Sequence, residues 1–253
     1  MRPYGIEEGM MLQKEKIADW KKFGNWRFAA GVLGAVVFIF LISLVKDYYP
    51  YMNLPKVTEK ELDALHLEKY SNVMFVAHPD DELLWGGRHL LEDDYLVVCL
   101  TRGNDKVRRA EFEAVLSASG DKGLILSYPD KIGRRRSDWK LWRKNIEADI
   151  AAVLKYKNWE LVVSHNEDGE YGHQHHIMTH ESVEKEFKQT GSQADLYWFG
   201  EYYVNDKIPY DLKEMDKTVY NKKRELAALY ESQRSTMRKL YHMLPYENWI
   251  LAE

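Results

Sequence analysis

The chain has 253 residues, with 36 Lys and Arg against 40 Asp and Glu and a net charge of -4. It is 45% hydrophobic and 30% charged, a balance that excludes disordered, collagen-like and disulfide-framework proteins. The mild acidity and the lack of a basic tail argue against nucleic acid, and Cys99, the single cysteine, can form neither an internal disulfide nor a cysteine-rich zinc knuckle.

Phe28 to Val45 reads FAAGVLGAVVFIFLISLV, with no charged residue. At 1.5 Å per residue such a helix spans roughly 27 Å, close to the hydrocarbon thickness of a bilayer. Tyr48, Tyr49 and Tyr51 follow it, where interfacial aromatics belong. The sequence therefore predicts a transmembrane anchor over 28–45. Arg2, Lys14, Lys16, Lys21, Lys22 and Arg27 precede the span, and Lys46, Lys56, Lys60 and Lys69 follow at similar distance. The positive-inside rule then places a tail over 1–27 in the cytoplasm and the rest of the chain outside the cell. No small-residue cleavage signal follows Val45, so the segment reads as an uncleaved anchor. Ala30 with Gly34, and Gly31 with Ala35, are small-residue pairs of the kind that supports helix pairing, which allows a homo-oligomer.

Residues 46–69, with Pro50, Pro55 and a charged helical pattern, read as a stalk. Residues 70–253 then form one domain. Within it, apolar runs at Val73–Ala77, Tyr95–Leu100, Leu124–Ser127, Leu161–Ser164 and Ala194–Phe199 predict strands. Ala110–Ser119 and Leu141–Tyr156 have helical spacing, the latter with Ile146, Ile150, Val153 and Leu154 on one face. This alternation predicts an α/β domain with a mainly parallel sheet flanked by helices.

In such sheets ligands bind beyond the carboxyl ends of the strands. After the first strand the chain places His78-Pro79-Asp80-Asp81-Glu82. After Leu161–Ser164 it places His165 and then Tyr171-Gly172-His173-Gln174-His175-His176. Pro79 suits a first helical turn, which sets the acids at a helix N-terminus, where the dipole favours their ionised forms. A His and a carboxylate from the first cluster, joined by a His from the second, are the ligand type of a catalytic zinc site. A remaining carboxylate can then take a proton from water. Helical spacing turns His173 and His176 into one cleft and His175 away from it. Iron or cobalt also suits such a donor set.

AHPDDE (Ala77 to Glu82) with GHQHH (Gly172 to His176) resembles the PIG-L/LmbE family of zinc-dependent deacetylases. RRAEFEAVLSASG, with Arg108 and Glu111, is similar to the family's R-x-x-E segment, and Tyr230-Glu231-Ser232-Gln233 to its C-terminal aromatic-x-Ser-Gln segment. The resemblance implies a Rossmann-like α/β fold and removal of an acetyl group from an N-acetylglucosamine unit. It implies His78, Asp81 and His176 as zinc ligands and Asp80 as general base. It further implies His173 as the group that stabilises the charged intermediate or protonates the leaving amine, Tyr171 as an aid in polarising the amide carbonyl, and Arg108 and Asp130 as substrate contacts. One departure is His175, which stands where members carry Asp or Asn.

The anchor points to a substrate in a glycan or glycolipid. Two other readings remain open from sequence: a zinc amidase acting on a small-molecule glycoside, and a non-catalytic glycan-binding protein on the same fold. The run Lys131 to Lys144 holds seven basic residues and one acid. It reads as a solvated face or as a seat for anionic polymer or lipid headgroups, with Trp139 and Trp142 available to stack on sugars or to sit at a membrane interface. His66, His89 and His242 read as structural. His165 and His180 lie close enough to the predicted cleft to support it.

Overall fold

A computed structural model describes residues 6–252 of the chain, and Arg2, one of the cations read for topology, lies outside them. The chain divides into two compact units, the first ending at Met52. The first unit is a long helix, α1 (Ile6–Tyr48), followed by one 3-10 turn at Tyr49–Tyr51. Trp26–Tyr51 contains an 18-residue stretch of mean hydropathy 2.7 and is long and apolar enough to cross a membrane. Its apolar side chains, Phe28, Leu33, Phe38 and Ile39 among them, are exposed.

The second unit contains, in chain order, α2 (Glu59–Asp63), β1 (Asn72–Val76), α3 (Asp81–Glu92), β2 (Tyr95–Thr101), α4 (Lys106–Ser119), β3 (Lys122–Tyr128), the short strands β4 (Lys131–Ile132) and β5 (Arg135–Arg136), α5 (Arg143–Tyr156), β6 (Leu161–Ser164), the single turn α6 (Gly169–Gly172), α7 (Gln174–Thr190), β7 (Asp195–Trp198), α8 (Lys217–Ala227), α9 (Arg234–Leu240) and β8 (Ile250–Leu251). The main sheet runs β3-β2-β1-β6-β7-β8. All its pairs are parallel except β7 with β8. The Rossmann-like expectation is met, with an antiparallel edge strand and the β4–β5 hairpin added. The predicted strand Leu161–Ser164 is reproduced to the residue.

Both faces of the sheet are covered, so its central strands are apolar throughout instead of alternating. Residues Val73 to Val76 and Leu96 to Leu100 are buried without interruption. Met74, Val76, Val97 and Cys99 join Leu83, Leu84, Phe112, Leu116 and Leu226 in one core, which places α3, α4 and α8 on that face. Alternate residues of the same strands turn to the opposite face, where α7 contacts β1 and packs along α5. Asp105 caps α4 by accepting from Val107 and Arg108 N–H, and Gly120, at φ +97°, ends it in the left-handed region that glycine favours.

Residues 53–69, part of the stretch 46–69 that the sequence suggests is a stalk, pack on the domain. Val57, Leu62 and Leu67 are buried, and the Val57 N–H donates to Asp149 at 2.9 Å. The prolines and charges read as an exposed linker; the apolar residues between them do the packing. The C-terminal segment braces α3 from behind. Trp249 donates its indole N–H to the Trp85 carbonyl at 2.8 Å and stacks on His89 with ring centroids 3.4 Å apart. Glu247, its side chain fully buried, accepts from Lys223 at 2.5 Å, from the Arg88 N–H at 2.8 Å and contacts His89 at 3.0 Å.

Burial works to raise the Glu247 carboxyl, but the Lys223 ammonium and His89 hold it below the usual glutamate value. A depressed acid stabilises the fold above its unfolded value and loses that contribution as pH falls through the folded one. Glu247→Gln would leave Lys223 buried without its counter-ion. Urea unfolding of the full chain in detergent at pH 7 is expected to show a loss of about 3–5 kcal/mol for this variant. The gap should narrow as the medium is acidified below the ordinary glutamate range.

Candidate metal centre and active site

The order of the sheet creates the cleft. From β1 the chain winds outward through β2 to β3, then returns to β6 on the other side of β1. The carboxyl ends of β1 and β6 therefore diverge at the switch point where α/β folds bind ligands. His78-Pro79-Asp80-Asp81 leaves β1 there, and His165 to His176 leaves β6. Arg102 follows β2 and Asp130 follows β3, so four strand ends feed one cavity of about 490 Å³. His78, Asp80, Asp81, Arg108, Asp130, Tyr171 and His173 all line it.

His78, Asp81 and His176 bring ligand atoms within 4.8 Å of one another. His78 Nδ1 lies 3.2 Å from Asp81 Oδ2, and His176 Nε2 lies 3.2 Å from Asp81 Oδ1. His176 Nε2 is buried and finds no hydrogen-bond partner. A fully buried imidazole nitrogen beside a carboxylate, but not bonded to it, fits a coordinating role for a cation between them. Burial acts to raise Asp81, yet the charge of His176, with the rings of His165 and His78 beside it, holds it well below the usual carboxylate range. Burial would lower His176, but Asp81 and Glu170 outweigh it and raise the ring to about 10.

Glu170, not singled out by sequence, sets the other edge of His176. Its carboxylate accepts from His176 Nδ1 and lies 3.0 Å from His165 Nδ1. His165 Nε2 in turn accepts the Ala77 N–H at 3.0 Å, so the His165 proton sits on Nδ1 and points at Glu170. Burial opposes ionisation of Glu170, but His165 and His176 bring it down to about 2. Its backbone has φ +56°, a strained value for a non-glycine residue. Asn166 holds it there: its side-chain oxygen accepts the Glu170 N–H at 2.9 Å, and its own N–H donates to Glu170 Oε1 at 3.1 Å.

Asp80 is also strained, with φ +121°. Its N–H donates to Glu82 Oε2 at 3.0 Å, and Glu82 Oε1 accepts from the Tyr230 hydroxyl at 2.5 Å. Arg108 donates to the Pro79 carbonyl and to Asp80 Oδ1 at 3.0 Å. Burial pushes the Asp80 carboxyl up to about 8, with Arg108 acting against it. The two further motifs meet in space. The Ser232 N–H and hydroxyl donate to the two oxygens of Glu111 at 2.7 and 2.6 Å. Gln233 lines the cleft.

His173 and Tyr171 stand at the cleft wall, ring centroids 5.9 Å apart. Burial, with His176 and His78 nearby, drives His173 down to about 2, so the ring is neutral. Burial raises the Tyr171 hydroxyl above its ordinary value, which keeps it protonated. Asp130 is engaged within the protein: Arg102 donates to it, and it lies 3.6 Å from His78 Nε2.

Two expectations need correction. His175 does not turn away: it is fully buried, with Nδ1 3.0 Å from His78 Nε2. The reason is that His173 is the extended N-cap residue of α7, at φ −75° and ψ 118°, so helical spacing from His173 does not apply. Trp139 and Trp142 are buried and present no stacking face to solvent. The Trp139 indole N–H donates to the Pro129 carbonyl at 2.8 Å, and its ring lies flat on His175. The basic side chains around them, Lys131, Arg134, Arg135, Arg136, Lys140 and Lys144, are exposed. His89, His242 and His180 bond within the fold, to Glu247, the Tyr203 carbonyl and the His165 carbonyl respectively.

The chain is similar to an uncharacterised protein of Acanthamoeba polyphaga mimivirus, 29% identical over 203 residues that cover 73% of this chain and 81% of the relative. Its fold is shared with the crystal structure of GalB, the 4-carboxy-2-hydroxymuconate hydratase from Pseudomonas putida KT2440. That match has a TM-score of 0.51 and 16% identity, over 68% of this chain and 83% of that one. Residues 73–186, which hold both polar clusters, match the family described as PIG-L, GlcNAc-PI de-N-acetylase. That stretch of the chain is accordingly similar to the PIG-L/LmbE-like deacetylase family.

Proposed function

We propose that the chain is a membrane-anchored, metal-dependent hydrolase that removes the acetyl group from an N-acetylglucosamine-type sugar in a glycan or glycolipid and releases acetate. The observation that carries this reading is the convergence of His78, Asp81 and His176 beside the separate carboxylate of Asp80. A protein that only bound glycans would have no use for a strained, buried acid next to a metal site. The family match supports the same chemistry.

In this reading His78, Asp81 and His176 hold a zinc ion, although iron or cobalt suits the same donors. The ion supplies Lewis acidity toward a water molecule and the acetamide carbonyl. Asp80 takes the proton of the attacking water as the C–O bond forms. Arg108, bonded to Asp80 Oδ1, keeps that carboxylate aimed into the cleft. Neutral His173 and the Tyr171 hydroxyl donate hydrogen bonds to the developing oxyanion. The proton held on Asp80 then passes to the amide nitrogen, directly or through His173, as the C–N bond breaks. Acetate and the free amine leave. Arg108 and Asp130 contact the sugar from the cleft wall. The helix within Trp26–Tyr51 tethers the domain to a bilayer, with the N-terminus in the cytoplasm.

The detergent-solubilised full chain, loaded with zinc, should release acetate from N-acetylglucosaminyl substrates. Asp80→Asn should cut turnover by about 10²–10⁴-fold while elemental analysis still finds one metal per chain. Near-normal turnover in that variant would refute the base assignment. His176→Ala should lose the metal itself, and full occupancy would remove it from the ligand set. Protease added to intact cells should digest the α/β domain; protection until the cells are permeabilised would reverse the topology.

A further inference from the structure

His175 lies between His78 and the β4–β5 hairpin, and its two nitrogens have different partners. Nε2 is 2.8 Å from the Ser137 carbonyl oxygen. A carbonyl only accepts, so the hydrogen is on Nε2. A neutral imidazole carries one N–H, which leaves a lone pair on Nδ1. His175 Nδ1 is 3.0 Å from His78 Nε2, so that bond runs from the His78 Nε2–H to His175. His78 Nδ1 is then the nitrogen with the free lone pair, and it is the one that faces Asp81. The reverse arrangement would set a His175 lone pair against the lone pairs of the Ser137 carbonyl, or would require a cationic His175 in a fully buried position.

We infer that His175 is a positioning residue for the metal centre: it fixes the tautomer and ring plane of His78 and ties that ligand to the main chain of the hairpin. The inference rests on the metal-hydrolase reading above. Ligand histidines elsewhere donate their second N–H to a carboxylate or a backbone carbonyl. Here an imidazole is the spacer and the Ser137 carbonyl is the end of the line.

The ring plane of His175 is set by Trp139, which stacks on it with centroids 4.3 Å apart and planes 5° from parallel. Trp139 is buried, fixed by its bond to Pro129 and held at φ +50°. The hairpin itself is closed by the Ser137 N–H donating to the Asp130 carbonyl at 3.0 Å. Charge explains why an imidazole suits this position. His175 Nδ1 is 3.6 Å from Asp130 Oδ1, so an acid at 175 would place two carboxylates together at the cleft floor, where one of them would resist ionisation. A neutral imidazole passes the hydrogen bond on without that repulsion.

The test uses the full chain in detergent with ¹⁵N-labelled histidine. Long-range ¹H–¹⁵N spectra of the zinc-loaded protein should show His175 protonated at Nε2 alone and His78 protonated at Nε2. His78 protonated at Nδ1, or His175 protonated at both nitrogens, would overturn the inference. Zinc affinity is measured in parallel by competition with a chromophoric chelator. His175→Ala should bind zinc about 10–100-fold more weakly. His175→Gln should restore most of that loss, because its amide can donate to Ser137 while its oxygen accepts from His78. A residue that only filled space against Trp139 would lower the melting temperature in both variants and leave zinc affinity unchanged, and that result would also overturn the inference. Wild-type protein that binds no zinc contradicts the metal reading itself, whereas tight binding unaltered in His175→Ala contradicts only the positioning role.

Discussion

One carboxylate, Asp81, lies within 3.5 Å of three imidazoles, those of His78, His165 and His176. Burying so many polar and ionisable groups together is costly unless each is paired. Most of the pairings are met within the protein, but Nδ1 of His173 at the cleft wall is left without a bond, as is the His176 nitrogen that faces Asp81. A divalent cation at that point would satisfy both imidazoles and the acid at once. The rest of the domain can be understood as the means of holding that cluster open. The parallel sheet parts its strand ends at β1 and β6, and the two polar segments emerge on either side of the gap.

The cluster depends on groups that do not themselves face the cleft. Asp80 and Glu170 both have positive φ values that side chains avoid, and each is secured by a neighbouring polar bond. Glu82, held by Tyr230 from the C-terminal segment, fixes the Asp80 main chain. Asn166 fixes Glu170, which in turn orients His165 and His176. The strain sits at the two positions where the chain must turn a carboxylate against its preferred direction. This explains why a segment as distant in sequence as Tyr230 to Gln233 bears on the same centre.

The sheet and the main donor set were legible because their signals are local. An unbroken apolar run such as Leu161–Ser164 has few alternatives to a buried strand, and HPDD immediately after another such run has few reasons to sit there. Less was legible where direction depends on tertiary packing. His175 is read as pointing outward if α7 is extended back to His173, but the helix begins one residue later and both His175 and His176 turn inward. Trp139 and Trp142 sit among exposed cations, and nothing local says that the hairpin folds their rings into the core. Glu170 lies in an Asp-Gly-Glu turn that resembles an ordinary loop; only its placement beneath two imidazoles gives it a part. Residues 53–69 carry Pro55 and many charges, and the few apolar side chains that pack them onto the domain are visible only against α5.

X-ray absorption at the zinc edge of the zinc-loaded full chain tests the central claim most directly. The account predicts a shell of nitrogen and oxygen neighbours at about 2.0–2.1 Å, with outer-shell scattering from two imidazoles and no sulfur. A sulfur neighbour near about 2.3 Å, or scattering from fewer than two imidazoles, would contradict the ligand set of His78, Asp81 and His176.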